Sequence, residues 1–156
     1  MRRSRDLSGD PARAREVPGD GNPEGALPVR GGPPVVVIGA GAAGLMAAGR
    51  AAECGAAVLL IEKMDRPGRK LLVSGKTRCN LTNARDRDAF ITMYRAGGRF
   101  LRAPFHRFFR EELLALLARY GVETKTERGG RIFPVSDRSR DVVSALLRYL
   151  EEQGVR

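Results

Sequence analysis

Residues 35–46 read VVVIGAGAAGLM, and this stretch decides the fold. Val35-Val36-Val37-Ile38 is a short β-branched run without polar alternation. That is the pattern of a strand buried on both faces of a parallel sheet. Gly39-Ala40-Gly41-Ala42-Ala43-Gly44 follows at once, with the spacing G-x-G-x-x-G. Ala42 to Cys54 is rich in small, helix-favouring residues, and Gly55 stands where a helix C-terminal glycine belongs. Ala57 to Ile61 is a second apolar run, ended by Glu62-Lys63. Strand, helix and strand within about thirty residues predict a right-handed βαβ unit.

The glycine string alone is weak; its place between a strand and a helix gives it meaning. Gly39 permits the sharp turn, Gly41 lets the backbone approach a pyrophosphate, and Gly44 lets the helix pack closely on the strand. The helix start at Ala42 and Ala43 offers free N–H groups and the positive end of the helix dipole to phosphate. Glu62 can accept hydrogen bonds from both hydroxyls of a ribose and would repel a 2′-phosphate. The expected ligand is therefore a dinucleotide other than NADP. The motif itself does not separate FAD from NAD.

Outward from this unit the pattern changes. Met64 to Asn83 reads as a long irregular segment, with Arg66-Pro67-Gly68-Arg69-Lys70 as a basic turn and Ser74 to Asn80 as a polar loop. Loops of that length are commonly functional. Arg69, Lys70, Lys76 and Arg78 can neutralise phosphate, while Asn80 and Asn83 suit turns as well as ligands. Asp86 to Arg95 predicts a short helix, and Pro104 to Tyr120 a longer one, ended by Gly121. Val122 to Glu127 and Arg131 to Phe133 predict a hairpin about Gly129-Gly130. A last helix is expected from Ser139 to Gln153, capped by Ser136 or Asp137, with the stripe Val142, Val143, Leu146, Leu147 and Leu150.

Residues 1–33 hold almost no large apolar side chains and read as a disordered, untargeted tail. The folded domain is expected over 34–156. The chain has a net charge of +10, and residues 66–110 carry twelve Lys or Arg against Asp86 and Asp88. A basic patch of that kind suits phosphate, in a dinucleotide or in nucleic acid. The lack of an aromatic-rich strand motif argues against a nucleic-acid partner. Cys54 and Cys79 stand apart, in keeping with a cytoplasmic protein, and with the one His106 they make no metal site. Cys79 and His106 read as structural, and Phe105, Phe108 and Phe109 as core. No stretch is long enough to span a membrane.

Three blocks carry a resemblance: Gly39–Met46 (GAGAAGLM), Gly68–Asn83 (GRKLLVSGKTRCNLTN) and Gly130–Ser139 (GRIFPVSDRS). In that order and spacing the chain from Pro34 to Arg156 resembles the N-terminal part of the bacterial BaiN-like NAD(P)/FAD-dependent oxidoreductases, also labelled aminoacetone-oxidase-family FAD-binding enzymes. The resemblance implies an α/β, Rossmann-like FAD-binding domain of the two-dinucleotide-binding flavoprotein type. It implies FAD as cofactor, NAD(P)H as electron donor, and a small-molecule substrate it does not name. Gly39, Gly41, Ala42, Ala43 and Gly44 would hold the pyrophosphate. Glu62 would bind the adenosine ribose, with Lys63 beside the adenine. Gly68, Arg69 and Lys70 would contact the cofactor further along, and Ser74 to Asn80, including Arg78, would approach the flavin. Lys76-Thr77 stands where many relatives have two glycines. No catalytic residue is assigned. Relatives of that family carry further segments, and Val155-Arg156 stops where a strand should begin. The chain is therefore expected to be an N-terminal fragment, binding FAD weakly and inactive alone. An NAD-binding fragment and a small basic nucleic-acid module are the alternatives.

Overall fold

The computed structural model describes residues 32–156. Most of the expected tail, residues 1–31, lies outside the described residues. Strand β1 (Val35–Ile38) leads through the glycine turn into α1 (Ala42–Glu53) and returns in β2 (Val58–Ile61). The two strands pair in parallel, Val35 opposite Val58 and Ile38 opposite Ile61. This is the predicted Rossmann-type unit. Gly55, at φ +89°, ends α1 where the sequence places a stop.

One expectation about β1 is corrected. The strand is not buried on both faces: Val36 is 51% and Ile38 84% exposed. β1 pairs with β2 alone among the described residues, so its other edge and one face carry no cover. Beyond β2 the backbone of Arg156 begins a parallel ladder, donating to Val58 and accepting from Leu60.

The segment after β2 is less irregular than its sequence suggests. Arg69–Val73 forms a five-residue helix, α2, entered through Gly68 in the left-handed region. So short a helix shows no periodicity, and it is held by packing. A methyl at Gly68 would lie 2.9 Å from Val143. The two-residue strand β3 (Thr82–Asn83) follows, then α3 (Arg87–Thr92), capped by Asp86, whose carboxylate accepts from Ala89 N–H at 2.8 Å.

The single helix expected over 104–120 is two. α4 (Gly98–Arg107) carries Pro104 inside it, and α5 (Arg110–Arg119) starts anew. Phe108 is extended, and Phe109 N–H donates to the Glu112 carboxylate at 2.8 Å. That bond fixes a helix start at a point where the apolar spacing alone runs on unbroken. Phe109 is buried, Phe105 half-buried and Phe108 exposed, so only part of the predicted aromatic core is core. His106 is exposed, its Nδ1 3.0 Å from an Arg87 guanidinium nitrogen.

The hairpin forms as read. β4 (Thr124–Glu127) pairs antiparallel with β5 (Arg131–Pro134), and β3 takes β5's other edge. Gly129 and Gly130 both have positive φ. The last helix, α6 (Ser139–Glu152), is capped by neither predicted residue. Asp137 is left-handed and its carboxylate is used elsewhere, while Ser136 Oγ accepts from Arg138 N–H.

α6 is the hub of the core. Its Val142, Ala145, Leu146, Tyr149 and Leu150 pack with Leu45 and Ala48 of α1, Val58 of β2, Leu117 of α5 and Tyr120 just beyond it. Leu147, predicted on the same stripe, is partly exposed. Tyr149 lies over Gly49, so closely that any side chain there would overlap its ring. Burial, and then the charge of Glu53, push the Tyr149 phenol well above its ordinary value and keep it neutral.

Candidate functional site

The three sequence blocks meet in space. Gly68 N–H donates to Ala40 O at 2.8 Å, joining the second block to the glycine turn. Leu81 N–H donates to Ile132 O, joining the second block to the third, and Ala84 N–H, just past the second block, donates to Gly130 O. Ser139 closes the contact from the far end: its N–H donates to Thr77 O, and its hydroxyl to Leu72 O, each at 2.9 Å.

The glycine turn has the geometry a phosphate needs. Gly39 has φ +95°, which is strained for any other residue. A methyl on Gly41 would meet nothing within 4 Å, whereas one on Gly44 would overlap the carbonyl of Gly39. Gly44 therefore sets how closely α1 approaches β1, and Gly41 leaves open space in front of the turn. The first N–H groups of α1 have no partner within the helix, and Gly41, Ala42 and Ala43 are exposed. These are the donors, and this is the room, that a pyrophosphate would occupy.

Glu62 stands at the end of β2. Its carboxylate accepts from Ala40 N–H at 2.6 Å and from Met64 N–H at 2.9 Å. The Met64 bond, then the Ala40 bond, hold its pKa below the usual carboxylate range, so it is anionic at neutral pH. Lys63 beside it is exposed.

The loop from Ser74 to Asn80 is strained. Gly75, Lys76, Thr77 and Cys79 all have positive φ, between +56° and +69°. Left-handed backbone disfavours ordinary residues by roughly 1–2 kcal/mol each, and a β-branched threonine is an outlier there. Such strain persists only where the surroundings over-determine it. Here a charged clasp does so. The Arg78 guanidinium donates to Asp137 at 2.8 Å and to Glu127, and lies 4.1 Å from the centre of the Phe133 ring. Lys125 donates to the other Asp137 oxygen at 2.6 Å. Lys125 first, then Arg78, hold the Asp137 carboxyl below its ordinary pKa. Thr77→Gly is expected to raise stability by about 1 kcal/mol, read as a shift in urea midpoint. A loss would mean that the threonine side chain holds the loop.

Comparison with known proteins bears on the same region. The family model for the HI0933-like protein Rossmann domain matches residues 33–156. The chain belongs to the HI0933-like family. This is a family of FAD-binding Rossmann domains of flavoproteins. Among curated relatives, the chain is similar to the "Ribosomal RNA dihydrouridine synthase" of Escherichia coli, 31% identical over 121 residues. It is also similar to the "3-dehydro-bile acid delta(4,6)-reductase" of Clostridium scindens, 37% identical over 123 residues. Each alignment covers 77% of this chain and 29% of the relative. The chain thus matches less than a third of the length of these relatives.

Within this HI0933-like domain the predicted residues divide. Gly39, Gly41, Ala42, Ala43, Gly44 and Glu62 come together at one turn. Gly68 is buried and adjoins that turn through its backbone, while its lack of a side chain serves the contact with Val143. Arg69 and Lys70 are exposed on α2, with Arg69 3.8 Å from Asp65. Arg78 is engaged by the clasp, and Asn80 is exposed at the loop's end. Cys79 is buried, and burial pushes its thiol upward, which suits packing and not nucleophilic chemistry. Both cysteines are free thiols.

Sequence reasoning missed the roles of Glu127, Lys125 and Asp137. Their signal was the hairpin itself, which brings residues far apart in the chain to the Arg78 loop. A cleft of about 660 Å³ beside α2 is lined by Arg66, Arg69, Arg138 and Arg140. The glycine turn is not part of it; it lies on open surface. Among the described residues no cluster of His, Cys, Asp or Glu could hold a metal, and no helix is long and apolar enough to cross a membrane.

Proposed function

We propose that this chain binds FAD, with Gly39, Gly41, Ala42, Ala43 and Gly44 around the pyrophosphate and Glu62 on the adenosine ribose. It would be the cofactor-gripping part of a flavin-dependent reductase of conjugated carbon–carbon double bonds. The observation that carries the binding is the open space before Gly41, beside unpaired helix N–H groups and an anionic carboxylate at the end of β2. Lys63 would lie beside the adenine. Arg69 and Lys70 would neutralise charge further along, and the loop holding Arg78 and Asn80 would face the flavin. Bound FAD would supply the redox chemistry; the chain's own residues bind and orient it. NAD(P)H is the proposed donor, the narrower BaiN-like label is part of this reading, and a reducing cytoplasm suits the two free thiols.

The reaction class is supported by what the relatives' names have in common. Dihydrouridine is uridine with the ring double bond next to its carbonyl reduced. A 3-dehydro-Δ(4,6) substrate likewise places double bonds in conjugation with a ketone. Both accept hydride at a carbon made electrophilic by a carbonyl, which fits a flavin donor.

The test is a titration of the chain with FAD, ADP and NAD, repeated on Gly41→Ala. The added methyl meets no protein atom, so stability should change by less than about 1 kcal/mol. Affinity for FAD should fall at least about tenfold, or 1.4 kcal/mol. Tighter binding of NAD than FAD, or unchanged FAD affinity in the variant, would overturn the assignment.

A further inference from the structure

The cleft beside α2 lies apart from the glycine turn, and Arg69 is all that it shares with the cofactor reading. Four segments build it. Asp65 and Arg66 come from the turn after β2, and Arg69, Leu72 and Val73 from α2. Thr77 comes from the strained loop, and Asp137 to Arg140 from the entry to α6. On α2 the spacing i, i+3, i+4 puts Arg69, Leu72 and Val73 on one face. Ser139 ties the walls together, its N–H to Thr77 O and its hydroxyl to Leu72 O. The cleft is therefore held open by the protein's own hydrogen bonds, and its volume of about 660 Å³ is that of a small-molecule site.

Its charge is unbalanced. Four arginines against two aspartates leave the lining at +2. Both aspartates are engaged. Asp137 accepts from Arg78 and Lys125, outside the cleft. Asp65 lies 3.2 Å from Arg66 and 3.8 Å from Arg69. These Asp65 pairs are exposed, and pairs of that kind hold their partners weakly. Arg138 and Arg140 form no ion pair among the described residues. Asp141, the next acid along α6, lines a separate cleft with Glu123 and Arg148.

We propose that this cleft binds the phosphomonoester of a small molecule. Such a group carries about −1.5 to −2 at neutral pH, which matches the surplus. Its three oxygens accept from guanidinium forks that converge from different walls, whereas a carboxylate presents one planar edge. Leu72 and Val73, the latter 70% exposed, offer an apolar wall to the rest of the ligand. Two sources share this chemistry, a sugar phosphate and the 2′-phosphate of a dinucleotide. Glu62 would turn a 2′-phosphate away from the glycine turn, so the turn and the cleft should have opposite preferences. A chain that took dinucleotides only at the turn would favour NADH over NADPH, and one that used the cleft would favour NADPH. The inference goes beyond the FAD reading and does not depend on it.

The test titrates the whole chain by calorimetry at low salt with two pairs of probes, glucose 6-phosphate against glucose and NADPH against NADH. In at least one pair the phosphorylated probe should bind about tenfold more tightly or better, and the pair that shows it names the source. Arg138→Gln and Arg140→Gln should each weaken that probe about tenfold, the value of one hydrogen bond to a charged group. Arg140→Lys should recover only part of the loss, because it keeps the charge and lacks the fork. Both arginines are exposed, so circular dichroism and FAD affinity should be unchanged in all three variants. The proposal is overturned if neither phosphorylated probe binds more tightly than its partner, or if the glutamine variants bind as the parent does. Loss of FAD binding alone would count against the cofactor reading and leave this one standing.

Discussion

Gly44→Ala should destabilise the domain by about 3 kcal/mol, although it places a better helix former in the first turn of α1. Helix propensity predicts the opposite sign, a gain of up to about 1 kcal/mol. The steric term wins because the added methyl would overlap the carbonyl oxygen of Gly39. That atom is backbone and cannot rotate away. Relief requires α1 to lift from β1 or the turn to open, and either displaces Leu45, which is completely buried. Domains of this size have about 5–15 kcal/mol in all, so the variant should lose a large share of its stability. Urea unfolding measures this directly. A variant as stable as its parent would show that α1 does not approach β1 as closely as described. Comparison with Gly41→Ala sharpens the test: neighbouring glycines, one needed by the fold and the other free of it.

Tyr149→Ala should cost about 3–5 kcal/mol, the range for removing a large aromatic side chain from a core. Tyr149 is fully buried between Gly49 and the ring of Tyr120, 5.8 Å away. The cavity would lie where α6 meets α1, the contact that backs the glycine turn. Tyr149→Phe separates packing from polarity. It keeps the ring and removes a hydroxyl, so the loss should stay within about 1.5 kcal/mol. If phenylalanine proves as damaging as alanine, the hydroxyl and not the ring holds the two helices together. Because α6 also carries Ser139 against the 74–80 loop, Tyr149→Ala should loosen that loop, seen as faster amide exchange at Cys79 and Ser139, whose N–H groups donate to Ser74 O and Thr77 O.

The βαβ unit was legible because three separate cues agree there: apolar runs, glycine spacing and a terminal acid. The hairpin at Gly129-Gly130 was legible because its turn demands residues that tolerate positive φ. Other features were hidden for physical reasons. α2 has only five residues and exists through its contact with α6. The break between α4 and α5 depends on the Glu112 side chain meeting Phe109 N–H, a local bond invisible to periodicity. The burial expected of β1 assumed covered faces, and the described residues leave one side of it bare. At the site, the glycine turn and Glu62 could be named from spacing. The clasp on Arg78 could not, because it joins three distant segments.

The bond from Ala40 N–H to Glu62 has a consequence for how any ligand arrives. Each oxygen of the carboxylate takes one backbone N–H, Ala40 on Oε2 and Met64 on Oε1, and each keeps a further acceptor site. The two bonds therefore aim the carboxylate without using it up. A ribose hydroxyl would meet an acceptor whose rotamer is already chosen, so little side-chain freedom would be left to lose on binding.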